Sequence, residues 1–300
     1  MIKKIYIFLV SLLFVSLLGA KAQNLPIIDY SSVTHPEIGS GGMVVSQRKI
    51  ASEVGAEILR EGGNAVDAAV ATALALAVVL PRAGNLGGGG FMLVYSEELK
   101  KTIAIDYREM APFQASRDMF LDKKGNYDRR KAQFSLLSAG VPGTVAGLGY
   151  AHEKYGIKSW NYLLRPAIKL ASSGFELSYR DAMYLNASRL FFLRDEEAAK
   201  IFASKEPYQL GDLFIQRDLG KTLRRISVAG YQEFYTGITA NMIQECMDRT
   251  GGIITRGDLR QYRPIEREPI EFKYRDFTFY SMPPASSGGI CLSEILNQPH

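Results

Sequence analysis

Apolar residues recur at four-residue spacing at Ile50, Val54 and Ile58, which predicts one helix with Ser46 as its cap and Gly62 and Gly63 as its left-handed stop. Asn64 caps a second predicted helix, with Asp67 favourably placed in the first turn. The body of that helix, AAVATALALAVVL (68–80), is apolar on every side and therefore predicts burial. It is shorter than the roughly 20 residues a membrane span needs, carries Asp67 at its entrance and is ended by Pro81. After a glycine-rich stretch, FMLVY (91–95) and TIAIDY (102–107) predict a hairpin that ends near Arg108.

From Gly143 to about Gly237 the pattern is mostly helical. It includes a helix over 159–172 before Gly174, and one over 218–228 with Leu219, Leu223 and Ile226 inward and Arg217, Lys221 and Arg224 outward. A further helix is expected over 238–249, and Thr255 with Asp258 makes a capping-box-like start to a short one. PIEFKY and FTFYSM predict a second hairpin around Arg275 and Asp276, followed by a helix over 290–296. Hairpins framing helices point to an α+β or layered α/β fold, and no linker or repeat divides the chain, so 23–300 reads as one domain.

The first 22 residues place Lys3 and Lys4 before an apolar run and end in an A-x-A pattern at Ala20 and Ala22, which reads as a cleavable secretory signal and not a retained anchor. The expected location is periplasmic or secreted, with no stable membrane anchor. Removing the leader takes away Lys3, Lys4 and Lys21 and no acid, so the formal charge of +5 drops by three to +2. That balance gives no support to nucleic-acid binding, and the basic cluster of Lys123, Lys124, Arg129, Arg130 and Lys131 reads as a solvated loop. In an oxidising compartment Cys246 and Cys291 permit one disulfide, but two free, buried thiols are the preferred reading.

Few residues suggest catalysis by themselves. The three histidines, His35, His152 and His300, are scattered, and the adjacent Ser286 and Ser287 lack the G-x-S-x-G elbow and a base, so they read as a turn that caps a helix. GNLGGGG (84–90) precedes a strand and lacks the Lys-Ser or Lys-Thr of a phosphate loop; it reads as backbone passing close beneath other elements. Arg108 stands out because its planar fork matches a carboxylate with two parallel hydrogen bonds. On spacing alone, an ion pair with Asp106 or Glu109 is the simpler reading of it.

Six segments taken together change that order. PRAGNLGGGGFML (81–93), AIDYREMAP (104–112), SAGVPGTVAGL (138–148), EFYTG (233–237), GGIITRGDL (251–259) and YSMPPASSGGI (280–290) resemble, in order, the γ-glutamyltranspeptidase family. The resemblance implies an N-terminal-nucleophile hydrolase fold, an αββα sandwich of two sheets between helices, part of it contributed by a small subunit. It implies that Arg108 binds the α-carboxylate of a γ-glutamyl substrate such as glutathione, with Asp106 able to orient it. The nucleophile would be a threonine that begins the small subunit after self-cleavage, so no catalytic residue is assigned within 1–300. Thr34-His35 lacks the family's surroundings and is set aside.

The resemblance implies neither metal nor organic cofactor, and the partners it implies are glutathione, related γ-glutamyl compounds and the small subunit. The leading expectation is therefore the large-subunit portion, truncated at its C-terminus, of a secreted γ-glutamyltransferase. The ILNQPH ending, within an apparent helix, adds to that expectation. Two rivals stand beside it: a non-catalytic scaffold or binding protein, and an enzyme of the same class acting on poly-γ-glutamate or an acylase-type amide.

Overall fold

The computed structural model describes residues 38–298 of the 300. The leader, Thr34, His35 and His300 lie outside the described residues. The elements belong to a compact unit that starts at Gly41.

Helix α1 (Lys49–Arg60) packs against α2 (Ala65–Val79) across a turn in which Gly62 takes a φ of +80°. Ser46 is not the cap of α1. The capping position falls at Arg48, whose guanidinium is held 2.7 Å from Asp181, and this tether keeps the preceding chain extended while the Ser46 hydroxyl turns onto the Arg48 carbonyl. The start of α2 follows the sequence closely. Asn64 Oδ1 accepts the Asp67 N–H at 2.9 Å and Asp67 Oδ2 accepts the Asn64 N–H at 3.0 Å, completing a capping box. Eleven of the fifteen residues of α2 are buried, as its unbroken apolar surface requires.

Strands β1 (Phe91–Ser96) and β2 (Lys101–Asp106) form the first hairpin, with Phe91 opposite Asp106 and Ser96 opposite Lys101. The short helix α3 (Arg129–Phe134) takes up Arg129, Arg130 and Lys131, so the basic cluster is only half loop; Asp128 caps that helix with bonds to the Arg130 and Lys131 amides. Next come α4 (Thr144–Tyr155) and α5 (Trp160–Ser173), which cover α2. The ribbon of β3 (Phe175–Glu176) and β4 (Leu213–Phe214) encloses α6 (Tyr179–Phe192) and α7 (Glu196–Phe202) in sequence. Helix α8 (Arg217–Ala229) lies along α5 with Leu223 and Ile226 buried and Arg217, Lys221 and Arg224 outward, as its pattern predicts.

The last third holds α9 (Glu233–Thr236), α10 (Ile238–Thr250) and α11 (Arg256–Gln261), the last begun by the expected Thr255–Asp258 capping box. Strand β5 (Ile265–Arg267) then pairs with β2, giving a three-stranded sheet in the order β1-β2-β5, while β6 (Ile270–Tyr274) and β7 (Phe277–Ser281) form the separate second hairpin. Helix α12 (Gly288–Leu296) follows the proline-serine-glycine turn. Ser287 occupies its capping position without a side-chain bond, and the Ser286 hydroxyl accepts the Gly288 N–H at 3.3 Å.

The architecture is α+β. One contiguous core runs from Ala51 through Leu74 to Leu148, Leu163, Leu223 and Leu259. Cys246 and Cys291 are both free, but Cys246 is only half-buried and Cys291, on α12, which is buried only at Gly289, is exposed, so the expectation of two free thiols holds and that of their burial fails. Among the described residues no helix is long and apolar enough to cross a membrane.

Candidate active site

Three of the singled-out segments meet at the end of β2. The glycine stretch continues the β1–β2 ladder, with Gly90 N–H donating to the Tyr107 carbonyl at 3.2 Å and Tyr107 N–H to the Gly90 carbonyl at 3.1 Å. A Cβ on Gly89 would stand 2.6 Å from the Tyr107 carbonyl oxygen, and one on Gly147 would stand 2.1 Å from the Tyr107 ring. Both positions therefore need glycine for close approach, and for Gly89 this is the reading the sequence supports for 84–90. The loop is also sewn to α4, since the Gly88 carbonyl accepts the N–H groups of Gly143 and Thr144 at 2.7 and 2.9 Å.

Arg108 follows β2 and is exposed. Among the described residues its guanidinium pairs with neither Asp106 nor Glu109; its one polar contact is from Nη1 to the Ala285 carbonyl at 3.4 Å, which brings the PPASSGG turn beside it. The ion pair expected from spacing is absent because Asp106 has another partner. Its Oδ2 lies 2.8 Å from Arg267 Nε, and its Oδ1 accepts the backbone N–H of Arg108 at 3.1 Å. Asp106 is thus bonded to the Arg108 main chain and not to its guanidinium, and Arg108 is one of the residues lining an open cavity of about 580 Å³. Gly87, Glu109, Met110, Phe120 and Leu137 line that cavity with it.

Sequence reasoning missed two residues here. Arg267 reaches Asp106 because β5 pairs with β2, and Tyr262 donates its hydroxyl to the Arg108 carbonyl at 2.8 Å. The aromatic signal was present in the sequence, but only the fold brings Tyr262 onto Tyr235, with ring centroids 5.8 Å apart and planes 14° from parallel. Burial pushes the Tyr107 phenol up to about 12, and raises Tyr235 and Tyr262 as well; the Asp106 and Glu109 carboxylates add to the rise at Tyr262. All three tyrosines are therefore neutral donors near pH 7. Among the described residues Ser286 and Ser287 have no histidine as a hydrogen-bonding partner, and His152 is engaged elsewhere, its ring nitrogen 2.7 Å from the Lys158 carbonyl.

The family model for gamma-glutamyltranspeptidase matches residues 51–299. The chain belongs to that family. This γ-glutamyltranspeptidase-family chain is 46% identical, over 93% of its length, to the glutathione hydrolase proenzyme of Escherichia coli K12, of which it covers 49%. It therefore spans about half the length of the curated relatives it matches. Among solved structures it is similar to Helicobacter pylori γ-glutamyltranspeptidase, with 45% identity and a TM-score of 0.85 over 88% of this chain and 76% of that one. It is also similar to the Pseudomonas nitroreducens enzyme complexed with L-DON, with 42% identity and a TM-score of 0.80 over 85% and 75%. Its fold is that of the N-terminal-nucleophile γ-glutamyltranspeptidases.

Proposed function

We propose that this chain is the large-subunit portion of an exported γ-glutamyltransferase and glutathione hydrolase, with Arg108 holding the substrate α-carboxylate. The observation that carries the reading is an arginine with a fixed backbone that lines a cavity and whose guanidinium, among the described residues, pairs with no carboxylate. A bidentate pair with a free carboxylate would complete that fork. The relatives' name, glutathione hydrolase proenzyme, supports both the substrate class and an enzyme processed from a precursor. Export is supported by the leader pattern of residues 1–22.

The chemistry would follow in two steps. The hydroxyl of a small-subunit N-terminal threonine attacks the γ-carbonyl carbon of the donor, while its free α-amine takes the proton and passes it to the departing amine as the C–N bond breaks. Water or an amino acceptor then attacks the resulting ester, and as the ester C–O bond breaks the attacking group's proton passes through the same α-amine to the threonine oxygen. Arg108 makes no bond in either step; it fixes where the γ-carbonyl lies relative to the nucleophile. Partnership with a small subunit is supported by β1, an edge strand of the sheet with Leu93 and Tyr95 exposed.

Steady-state kinetics of the assembled two-subunit enzyme test the reading. Arg108→Lys keeps the charge and loses the fork, so the KM for a γ-glutamyl donor is expected to rise about tenfold or more, the equivalent of one charge-assisted hydrogen bond. A donor dependence unchanged by that substitution would sink the assignment. No turnover by the wild-type assembly would favour a binding scaffold instead.

A further inference from the structure

We infer that Tyr262 is a positioning residue for Arg108, acting as one jaw of a clamp on the Arg108 backbone whose other jaw is Asp106 held by Arg267. The inference rests on the reading of Arg108 as the carboxylate binder. It concerns a residue that touches no substrate and acts only through the arginine.

Arg108 lies two residues beyond β2, between Tyr107, bonded to Gly90, and Met110, bridged to Val141, and its own peptide groups take part in neither pairing. Its peptide groups are nevertheless both engaged by side chains. The N–H donates to Asp106 Oδ1 at 3.1 Å, and the carbonyl accepts from Tyr262 Oη at 2.8 Å. Each jaw is itself immobilised. The Asp106 side chain is 8% exposed and its second oxygen is bound to Arg267 at 2.8 Å. Tyr262 is buried, its N–H is bonded at the C-terminus of α11, and its ring stacks on Tyr235. Tyr235 in turn donates to the Pro142 carbonyl at 2.9 Å and accepts the Ala146 N–H at 3.0 Å.

The packing leaves this arrangement no slack. A Cβ on Gly143 would lie 2.0 Å from the Tyr107 carbonyl oxygen and 2.1 Å from Tyr262 Oη, so the start of α4 presses on the same peptides. A long side chain points where its backbone points it, so a displaced Arg108 backbone would carry the carboxylate-binding fork out of place. The guanidinium itself has one weak protein contact, so its aim depends on the clamp. One neutral hydrogen bond is worth a factor of about three to ten, which sets the expected size of the effect.

Kinetics and melting temperatures of the two-subunit enzyme, assembled from this chain and a threonine-led small subunit, test the clamp. Tyr262→Phe keeps the ring and its stacking and removes only the donor. The expected result is a rise of about threefold to tenfold in the KM for the γ-glutamyl donor, with kcat within about twofold. Tyr208→Phe is the control, because Tyr208 is equally buried and hydrogen-bonded through its hydroxyl to the Ser204 side chain, away from Arg108; it is expected to lower the melting temperature without moving KM. Should Tyr262→Phe fail to fold, Arg267→Gln answers the same question from the other jaw, where the side chain is 36% exposed, and it too should raise KM selectively. A KM that follows Arg108→Lys but not Tyr262→Phe or Arg267→Gln overturns the clamp alone. A wild-type assembly without γ-glutamyl turnover overturns the functional reading and the clamp with it.

Discussion

Asp67 and Arg108 are both charged residues at the ends of regular elements, and the fold treats them in opposite ways. Asp67 is completely buried at the entrance of α2, and its two oxygens accept N–H groups from Asn64, Ile157 and Lys158 at 3.0 to 3.3 Å. At Arg108 the backbone is held on both sides while the charge is left outward, beside a cavity. A charge whose hydrogen-bonding capacity is filled by the chain's own amides is structural. One whose support is filled and whose head group is not is available to a ligand.

The largest effect expected is at the structural end of that comparison. Asp67→Ala leaves the amides of Asn64, Ile157 and Lys158 without their acceptor, and urea denaturation should register a loss of about 3 kcal/mol. Leu74→Ala, at the centre of the same helix and fully buried, should cost about 2 to 5 kcal/mol and so calibrates the Asp67 value against simple core packing. By contrast Arg108→Lys should change stability by less than about 0.5 kcal/mol while donor KM rises about tenfold or more. An Arg108 variant that melts early with unchanged KM would reverse the roles assigned to the two residues.

The tyrosines around Arg108 give a pH test. Their folded values lie above the ordinary phenol value near 10, so the fold favours the neutral ring. Their contribution to stability is complete below about pH 10 and is lost as pH rises through the folded values, from about 10 to about 12 for Tyr107. Phenolate absorbance and circular dichroism should therefore change together in that window. Ionisation of Tyr107 without loss of structure would show that the ring is less confined than its burial implies. The smallest effect is at Thr72, whose buried hydroxyl is without a partner among the described residues; Thr72→Val should be neutral or stabilising by roughly 1 kcal/mol in the same urea titration.

How much of this was legible depended on sequence distance. The Asn64 cap and the Thr255–Asp258 capping box span three residues and were read correctly, as were both hairpins, because residues close in sequence encode them; that Asp67 closes a box with Asn64 was not read. Arg108 was singled out through its motif, and the close packing of the glycine stretch was legible through its composition. The partner of Asp106 was not, because Arg267 is 161 residues away and is brought in by strand pairing. The same holds for Ser46, displaced as a cap because Arg48 is tethered to Asp181, 133 residues on. The exposure of Cys291 was missed because the apolar letters of α12 look like a core helix while Ile290, Leu292 and Ile295 lie on the surface.

The bonds from Ile157 and Lys158 to Asp67 also set an order of events during synthesis. They join positions 90 and 91 residues apart, and α4 and α5, which cover the apolar α2, belong to the same later stretch. At roughly 5–20 residues per second, the ribosome delivers them about 5 to 20 seconds after Asp67. For that interval α2, the most apolar helix among the described residues, lacks the cover of α4 and α5, and this is when a holdase or an export factor has its opportunity to bind.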